Sequence, residues 1–309
     1  MAIERRELVP LSVDVALGDT QRPTARRGFR WSTLLGRGAF YLVAIILSAA
    51  FIGPFLFTVT TSFKAPNEIY VFPPRFFPSQ WLWSNYPQAW TQAPFALFFT
   101  NTIIITLLAM TGQIVSATLV AYGFARFRFP GRDALFLLVI STLILPEEAV
   151  IIPTFLMFKA VGWLDTWFPL IVPAYFGGGA FSIFLLRQFF LTLPREMDEA
   201  AEIDGASSRR ILWTIVVPLS KPAMATLAIF SFIGHWNSFF LPLIYLNTTS
   251  KFTISLGLSY YQNVATAGGP ATEQLLMAAA CTATLPIIVV FFVFQRQFVQ
   301  GIVLSGIKG

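Results

Sequence analysis

From residue 39 onward the chain is a series of long apolar runs separated by short polar segments. A helix crossing about 30 Å of hydrocarbon needs roughly 20 apolar residues. Six runs reach that length, at 39–61, 95–121, 134–158, 166–190, 222–246 and 275–298. They are continuous rather than alternating with period two, which predicts helices and speaks against a closed barrel. Spans three and four are separated by a few residues around Gly162 and Asp165, so they must form a hairpin. Glycines and prolines within the spans do not count against them, because neighbouring helices re-satisfy freed backbone groups. The predicted architecture is all-α and polytopic, with a polar tail over 1–38 and a membrane domain over 39–309.

Composition narrows the class. Of 309 residues 56% are hydrophobic and 12% charged, with a mean hydropathy of +0.68. Soluble domains carry about 25% charged residues, so a soluble enzyme, a disordered regulator and a disulfide scaffold are all excluded. The one cysteine, Cys281, lies in an apolar run and has no partner for an intrachain disulfide. Seventeen of the 21 Lys and Arg fall in the N-tail, the loops after spans two and four, and the C-tail; only Lys64, Arg75, Lys159 and Lys251 lie on the other side. The positive-inside rule then places both termini in the cytoplasm. This asymmetry accounts for most of the +6 formal charge, and no nucleic-acid partner is needed. The Arg-rich tail is a poor match to a cleaved signal peptide and reads as a solvated segment near anionic headgroups.

Three polar groups interrupt the apolar runs. Glu147 and Glu148 follow Pro146 in span three, either at an outer vestibule after a helix break or as groups that bind solute or gate its path. His235, Trp236 and Asn237 sit within span five, where an aromatic face and an amide suit either the lining of a solute path or interhelical contact. Asn101, Thr102 and Gln113 in span two allow the same two readings. With one histidine and no cysteine nearby, no metal site is expected. The outer segment 62–94 is rich in Pro, Phe and Trp, which suits an interfacial cap or a docking surface for an extracytoplasmic partner.

The inner loop 192–223 has ordered charges. Pro194 suits a first helical turn, and Glu196, Asp198, Glu199 and Glu202 load the N-terminal half of a helix with negative charge. Ala200 and Ala201 would allow close approach of another surface, and Gly205 is placed to end the helix. A second stretch carrying Arg209 and Arg210 runs to Pro218. The expectation is a helix–turn–helix across the inner membrane face.

Residue by residue, Glu199, Ala200 and Ala201 with Gly205, Ile215 and Pro218 resemble the EAA loop of permease subunits of bacterial ATP-binding-cassette importers. Val217 stands where leucine is commoner. TSFKAPNEIY (61–70), NTIIIT (101–106), AYGFARFRFPGR (121–132), HWNSFFLPLIY (235–245) and the ending LPIIVVFFVFQRQFVQGIVLSGIKG resemble the carbohydrate-importer subfamily, in particular the second-subunit type of the maltose permease. The match covers about 60–309.

The resemblance implies a type I importer permease fold in the bacterial inner membrane, with 192–218 as a coupling loop. Glu199, Ala200, Ala201, Asp204, Gly205, Ile215 and Pro218 would couple to an ATPase. Glu147, Trp236, Asn237 and Asn101 are candidates for the solute path, Glu147 being favoured over Glu148 because family members carry an acid after this proline. Expected partners are a second homologous permease, two ATPase subunits, an extracytoplasmic sugar-binding protein, and an oligosaccharide or disaccharide. The chain lacks a Walker-type sequence, so ATP and Mg belong to the partner ATPase and the chain itself is no enzyme and binds no cofactor. A glycerol-phosphate importer is the near alternative. A secondary carrier would leave the ordered inner loop unexplained, and an intramembrane protease lacks its Ser–His or paired-Asp machinery.

Overall fold

The computed structural model describes residues 31–259 and 272–306, with the side chains of 31–37, 147 and 296–306 outside the description. All the regular elements among the described residues are helices, without strands. The tail over 1–30 and Lys308 lie outside them. Two units divide at Gly53–Pro54. The first is described from Trp31 as the opening part of helix α1 (Trp31–Ser62), with Phe40, Tyr41, Ile45 and Phe51 exposed. Everything else belongs to the second unit.

Among the described residues, four helices are long and apolar enough to cross a membrane: Gly38–Ser62, Phe95–Arg126, Phe168–Thr192 and Glu273–Gln295. Two bent pairs, 132–160 and 208–237, raise the number to six if each is one span. Helix α1 begins at Trp31, within the segment expected to be an unstructured tail. Once a helix is nucleated, each further residue adds a hydrogen bond at little cost.

After α1 and a short helix α2 (Asn85–Gln92), helix α3 (Phe95–Arg126) forms the central post and packs against α2 and the helices Phe168–Ile171, Ala180–Thr192 and Lys221–Asn237. It contains no proline. The buried Thr106 hydroxyl has no hydrogen-bond partner, but Thr100, Thr102, Thr111 and Thr118 turn theirs onto their own helix, as Thr102 does to the Phe98 carbonyl at 2.8 Å and Thr118 to the Ile114 carbonyl at 2.6 Å. That satisfies the hydroxyls in apolar surroundings. Ala109, Ala117, Ala121 and Ala125 are fully buried; in a membrane such small residues let neighbouring backbones close in, where dispersion packing rather than water expulsion drives association.

Span three is not a straight helix. Helix α4 (Arg132–Ser141) continues in a 3-10 turn to Ile144, and helix α5 (Glu147–Ala160) leaves at 102°. Leu145 is extended, with ψ of 118°, as a residue before proline tends to be. The next span opens with helix α6 (Phe168–Ile171), passes a 3-10 turn and Gly177–Gly179, all at positive φ, and resumes as helix α7 (Ala180–Thr192). Two short helices, α8 (Glu196–Ile203) and α9 (Ser208–Ile211), lead through a further turn, α10 (Val217–Leu219), into helix α11 (Lys221–Asn237). Span five was expected to run to 246, but α11 ends at Asn237, Ser238 is extended, and helix α12 (Phe240–Tyr245) follows. Pro242 explains this: it cannot donate to the Ser238 carbonyl, and its ring would clash there. Residues 254–259 form α13, and the last helix, α14 (Glu273–Gly306), runs beyond its predicted span.

The loop after α5 is fastened to the loop after α12 through Asp165. This residue adopts a positive φ of 55°, and its backbone N–H donates to the Tyr245 carbonyl at 2.8 Å. Its carboxylate accepts from the Asn247 and Thr248 amides at 3.0 and 2.9 Å, from the Thr248 hydroxyl at 2.6 Å and from Lys251 Nζ at 2.9 Å. These donors, the Thr248 hydroxyl foremost, hold the Asp165 carboxyl well below the usual carboxylate range. A depressed folded pKa stabilises the charged, bonded state above the unfolded value of about 3.9; that contribution is lost as pH falls below it. Hydrogen exchange should show protected Asn247 and Thr248 amides at neutral pH, protection that declines below about pH 4 and is already absent at neutral pH in Asp165→Ala.

Candidate functional site

The loop between α7 and α11 folds into an elbow. Pro194 precedes Arg195, the N-cap of α8, and Glu196, Asp198 and Glu199 fill the first turn, where the helix dipole favours negative charge. The turn at its other end is fully hydrogen-bonded. Gly205 N–H donates to the Glu202 carbonyl and Ala206 N–H to the Ala201 carbonyl, each at 2.9 Å. With Asp204 as C-cap and Gly205 at φ +80°, this is a Schellman motif, which satisfies carbonyls the helix end would otherwise orphan. Ala201 and Ala206 also pack against the cluster formed by Ala125, Leu186, Phe190 and Ile211.

The remaining face of α8 is free. Glu196, Glu199, Ala200 and Ile203 are exposed and share one side of the helix by their spacing; Ile203 is 87% exposed. Of the two alanines, then, Ala201 meets this chain's own core and Ala200 faces outward. The elbow is tied to the C-terminal end of α3. Arg126 Nε lies 2.8 Å from Asp198 Oδ2, both side chains being largely buried. The contact is an ion pair without aligned hydrogen-bond geometry, and Asp198 Oδ1 has no hydrogen-bond partner. Arg126 also donates to the Leu193 carbonyl at 3.2 Å, and Arg195 to the Ala125 carbonyl at 3.3 Å. Cations beside the last carbonyls of a helix offset its negative end.

The second arm starts with Ser207, whose hydroxyl caps the Arg210 amide at 3.4 Å. It then widens into a π-turn over Leu212–Val216, where the Val217 N–H reaches back to the Leu212 carbonyl. Pro218 has no N–H to offer Thr214 and would crowd its carbonyl in a regular helix, so the wider turn before it accommodates the ring. Ile215 lies within this turn and packs on the same cluster as Ala201.

Comparison with known proteins agrees with this geometry. Residues 113–303 match the family model described as the binding-protein-dependent transport system inner membrane component. The chain belongs to this family. The permease is 32% identical over 273 residues to the diacetylchitobiose uptake system permease protein of Streptomyces coelicolor, covering 86% of this chain and 87% of that one. It is 34% identical to the sn-glycerol-3-phosphate transport system permease protein of Yersinia pestis (80% and 90% covered) and 32% identical to the maltodextrin transport system permease protein of Bacillus subtilis (89% and 98%). A chain in the crystal structure of a bacterial ABC transporter involved in the import of the acidic polysaccharide alginate superposes with a TM-score of 0.76 at 25% identity, covering 87% of this chain and 98% of that chain. The type I importer permease fold follows.

Of the residues expected along a solute path, Trp236 and Asn101 are bonded to backbone carbonyls. Trp236 is 2% exposed, and its indole donates to the Ala283 carbonyl at 3.0 Å. Asn101 is equally buried, its amide bonded to the Ser250 and Phe252 carbonyls at 2.9 and 3.0 Å. Trp236 thus joins α11 to α14, and Asn101 joins α3 to the turn at 249–252. Asn237 is the exposed last residue of α11, Glu147 opens α5 with its side chain outside the described residues, and Glu148 is exposed.

A different set converges. Gln113 donates to the Ser182 hydroxyl at 2.8 Å, and its oxygen accepts from Ser231 at 2.6 Å and lies 3.1 Å from His235 Nε2. This links α3, α7 and α11 beside a cavity of about 270 Å³. Gln113, His235, Ser238 and Thr253 supply its polar lining, and Gly178 and Gly179 part of its wall. Gly178 is fixed there twice over: its φ is +68°, and a Cβ would come within 2.4 Å of the Gln113 carbonyl oxygen and 2.8 Å of Ala117. Spacing within single spans could not reveal this convergence, because Gln113 and His235 lie 122 positions apart.

Two stability outcomes follow. Gly205→Ala meets no neighbour within 4 Å and should cost about 1 kcal/mol for the left-handed backbone alone, whereas Gly178→Ala should prevent normal assembly; thermal unfolding of the detergent-solubilised complex separates them. Asp198→Ala should cost about 3 kcal/mol by stranding the buried Arg126 charge, and Arg126→Met with Asp198→Leu much less, read by the same measurement.

Proposed function

We propose that this permease forms half of the translocation pathway of an ATP-driven, binding-protein-dependent importer for an oligosaccharide or disaccharide, in the bacterial inner membrane with both termini cytoplasmic. The observation that carries the mechanism is the elbow. An exposed face of Glu196, Glu199, Ala200 and Ile203 is presented on a helix whose opposite side is fastened to α3 by the Arg126–Asp198 pair. A separate ATPase that grips this face moves α3 with it, because the fastening is buried and the turn at Gly205 has its backbone bonds satisfied. ATP and Mg are held by two such ATPase subunits, a second homologous permease supplies the other half of the path, and an extracytoplasmic receptor delivers the solute.

The sugar class is supported by the relatives named for diacetylchitobiose and maltodextrin uptake. The relative named for sn-glycerol-3-phosphate transport favours the second reading, an importer of that anion. Both readings use the same elbow, so the elbow experiment tests the mechanism and a solute panel tests the class.

In the reconstituted importer, Glu199→Lys reverses charge on the exposed face and Gly205→Pro removes the turn's N–H. Each should abolish solute uptake while the chain still inserts and assembles with its partner permease. A cysteine at Ala200 should crosslink to the ATPase subunit more readily than one at Ala201, which faces inward. Full uptake in both variants, together with no crosslink in any nucleotide state, would overturn the coupling role. Uptake of sn-glycerol-3-phosphate but of neither diacetylchitobiose nor maltotriose would overturn the sugar class.

A further inference from the structure

We propose that the cavity beside Gln113 and His235 is a contact site for an uncharged, hydroxyl-rich solute, one ring at a time, with His235 as a hydrogen-bond acceptor to it. The inference rests on the sugar-import reading and adds to it the residues of this chain that touch the sugar.

Four observations carry it. The first is composition: the lining contains Gln113, His235, Ser238 and Thr253 among prolines, glycines and aliphatic residues, and no Lys, Arg, Asp or Glu. An anionic solute desolvated at this depth would need a cation and a cationic one a carboxylate; this wall offers neither, while neutral donors and acceptors suit hydroxyls.

The second is the proton inventory. Gln113 Oε1 accepts from Ser231 and faces His235 Nε2. An amide oxygen only accepts, so Nε2 carries the ring proton and Nδ1 of the neutral imidazole is an acceptor. Ser182 and Ser231, both almost fully buried, fix the amide, and the amide fixes the ring. Such an orientation is a pre-set binding group rather than a space-filler.

The third is the backbone. Two of the interrupted spans border this cavity, the one broken at Gly177–Gly179 and the one broken at Ser238. Irregular backbone at membrane depth persists only where protein covers it or where it lines a watery cavity. The N-terminal end of α7 and the C-terminal end of α11 both open here. The first offers amide donors and the second carbonyl acceptors, and a hydroxyl uses both. The fourth is size: at about 270 Å³ the space lies at the lower edge of small-molecule sites, roughly 300–1,000 Å³. It fits a single ring of a longer sugar passing through.

The test uses the whole importer in proteoliposomes, with its receptor, partner permease and ATPases. Diacetylchitobiose and maltotriose serve as neutral probes and sn-glycerol-3-phosphate as the anionic one. His235→Phe keeps the ring volume and removes the acceptor. Sugar imported per ATP hydrolysed should fall about tenfold, the loss of one hydrogen bond to the solute, while receptor-stimulated ATP hydrolysis persists. His235→Asn should recover part of the loss. In a Cys281→Ser background, Ser238→Cys should react with a sulfonated aqueous thiol reagent, as read on this chain by mass spectrometry, and importing the neutral probe should slow that reaction severalfold.

If a neutral probe is imported but His235→Phe couples transport to ATP as well as the wild type and Ser238→Cys is unprotected, the contact site is wrong and sugar import stands. If only sn-glycerol-3-phosphate is imported, the sugar reading falls, and the neutral-solute site falls with it.

Discussion

The buried contact between Arg126 and Asp198 is the constraint on which the rest of the inner half depends. Without it α8 would be a short acidic helix with one alanine face against the core, too short to hold its place by packing alone. With it, the start of the elbow and the end of α3 become one body. The guanidiniums of Arg126 and Arg195 also occupy carbonyls at the α3–α8 junction, so electrostatic anchoring and helix termination are done by the same side chains. An exposed ion pair would add little at this point; burial makes the pair costly to break in half.

A second constraint operates at membrane depth, where every backbone polar group needs a partner. Three of the apolar runs are nonetheless interrupted, near Pro146, at Gly177–Gly179 and at Ser238. The last two interruptions face the same space. The glycine turn is locked against α3 by the Ser116 hydroxyl, which accepts from the Gly177 amide at 2.6 Å, and by the close approach of Gly178 to Gln113. Broken helices and a polar network thus occur together, each stabilising the other's departure from regular apolar packing.

Much of this was legible in the residue order, and what was not has physical reasons. The apolar runs announced helices because burial in lipid leaves few alternatives, and Gly205 announced a helix end because few other residues tolerate a φ of +80°. The early start of α1 at Trp31 was hidden because polar residues can extend a helix already nucleated by an apolar one. The end of α11 at Asn237 was readable in principle from Pro242, whose effect falls four residues upstream of itself. The π-turn before Pro218 had no signal of its own. Trp236 and Asn101 carried suitable chemistry for a sugar, but residue type does not say which way a side chain faces; both turned to backbone carbonyls. The meeting of Gln113 with His235 belongs to tertiary packing, and no periodicity within either span encodes it.

Helix α3 carries Gln113 in its middle and Arg126 at its end, and the two lie about 20 Å apart along an unbroken rod at 1.5 Å per residue. Tilting that rod by about ten degrees around its inner end carries Gln113 through roughly 3.5 Å, more than the length of a hydrogen bond. A modest rotation at the membrane surface is therefore enough to disassemble the amide–imidazole arrangement deep inside. Because linkage is reciprocal, any occupant that prefers one arrangement of those side chains must bias the angle of the rod in return, so the cargo's presence would be felt at the far surface before any nucleotide is spent.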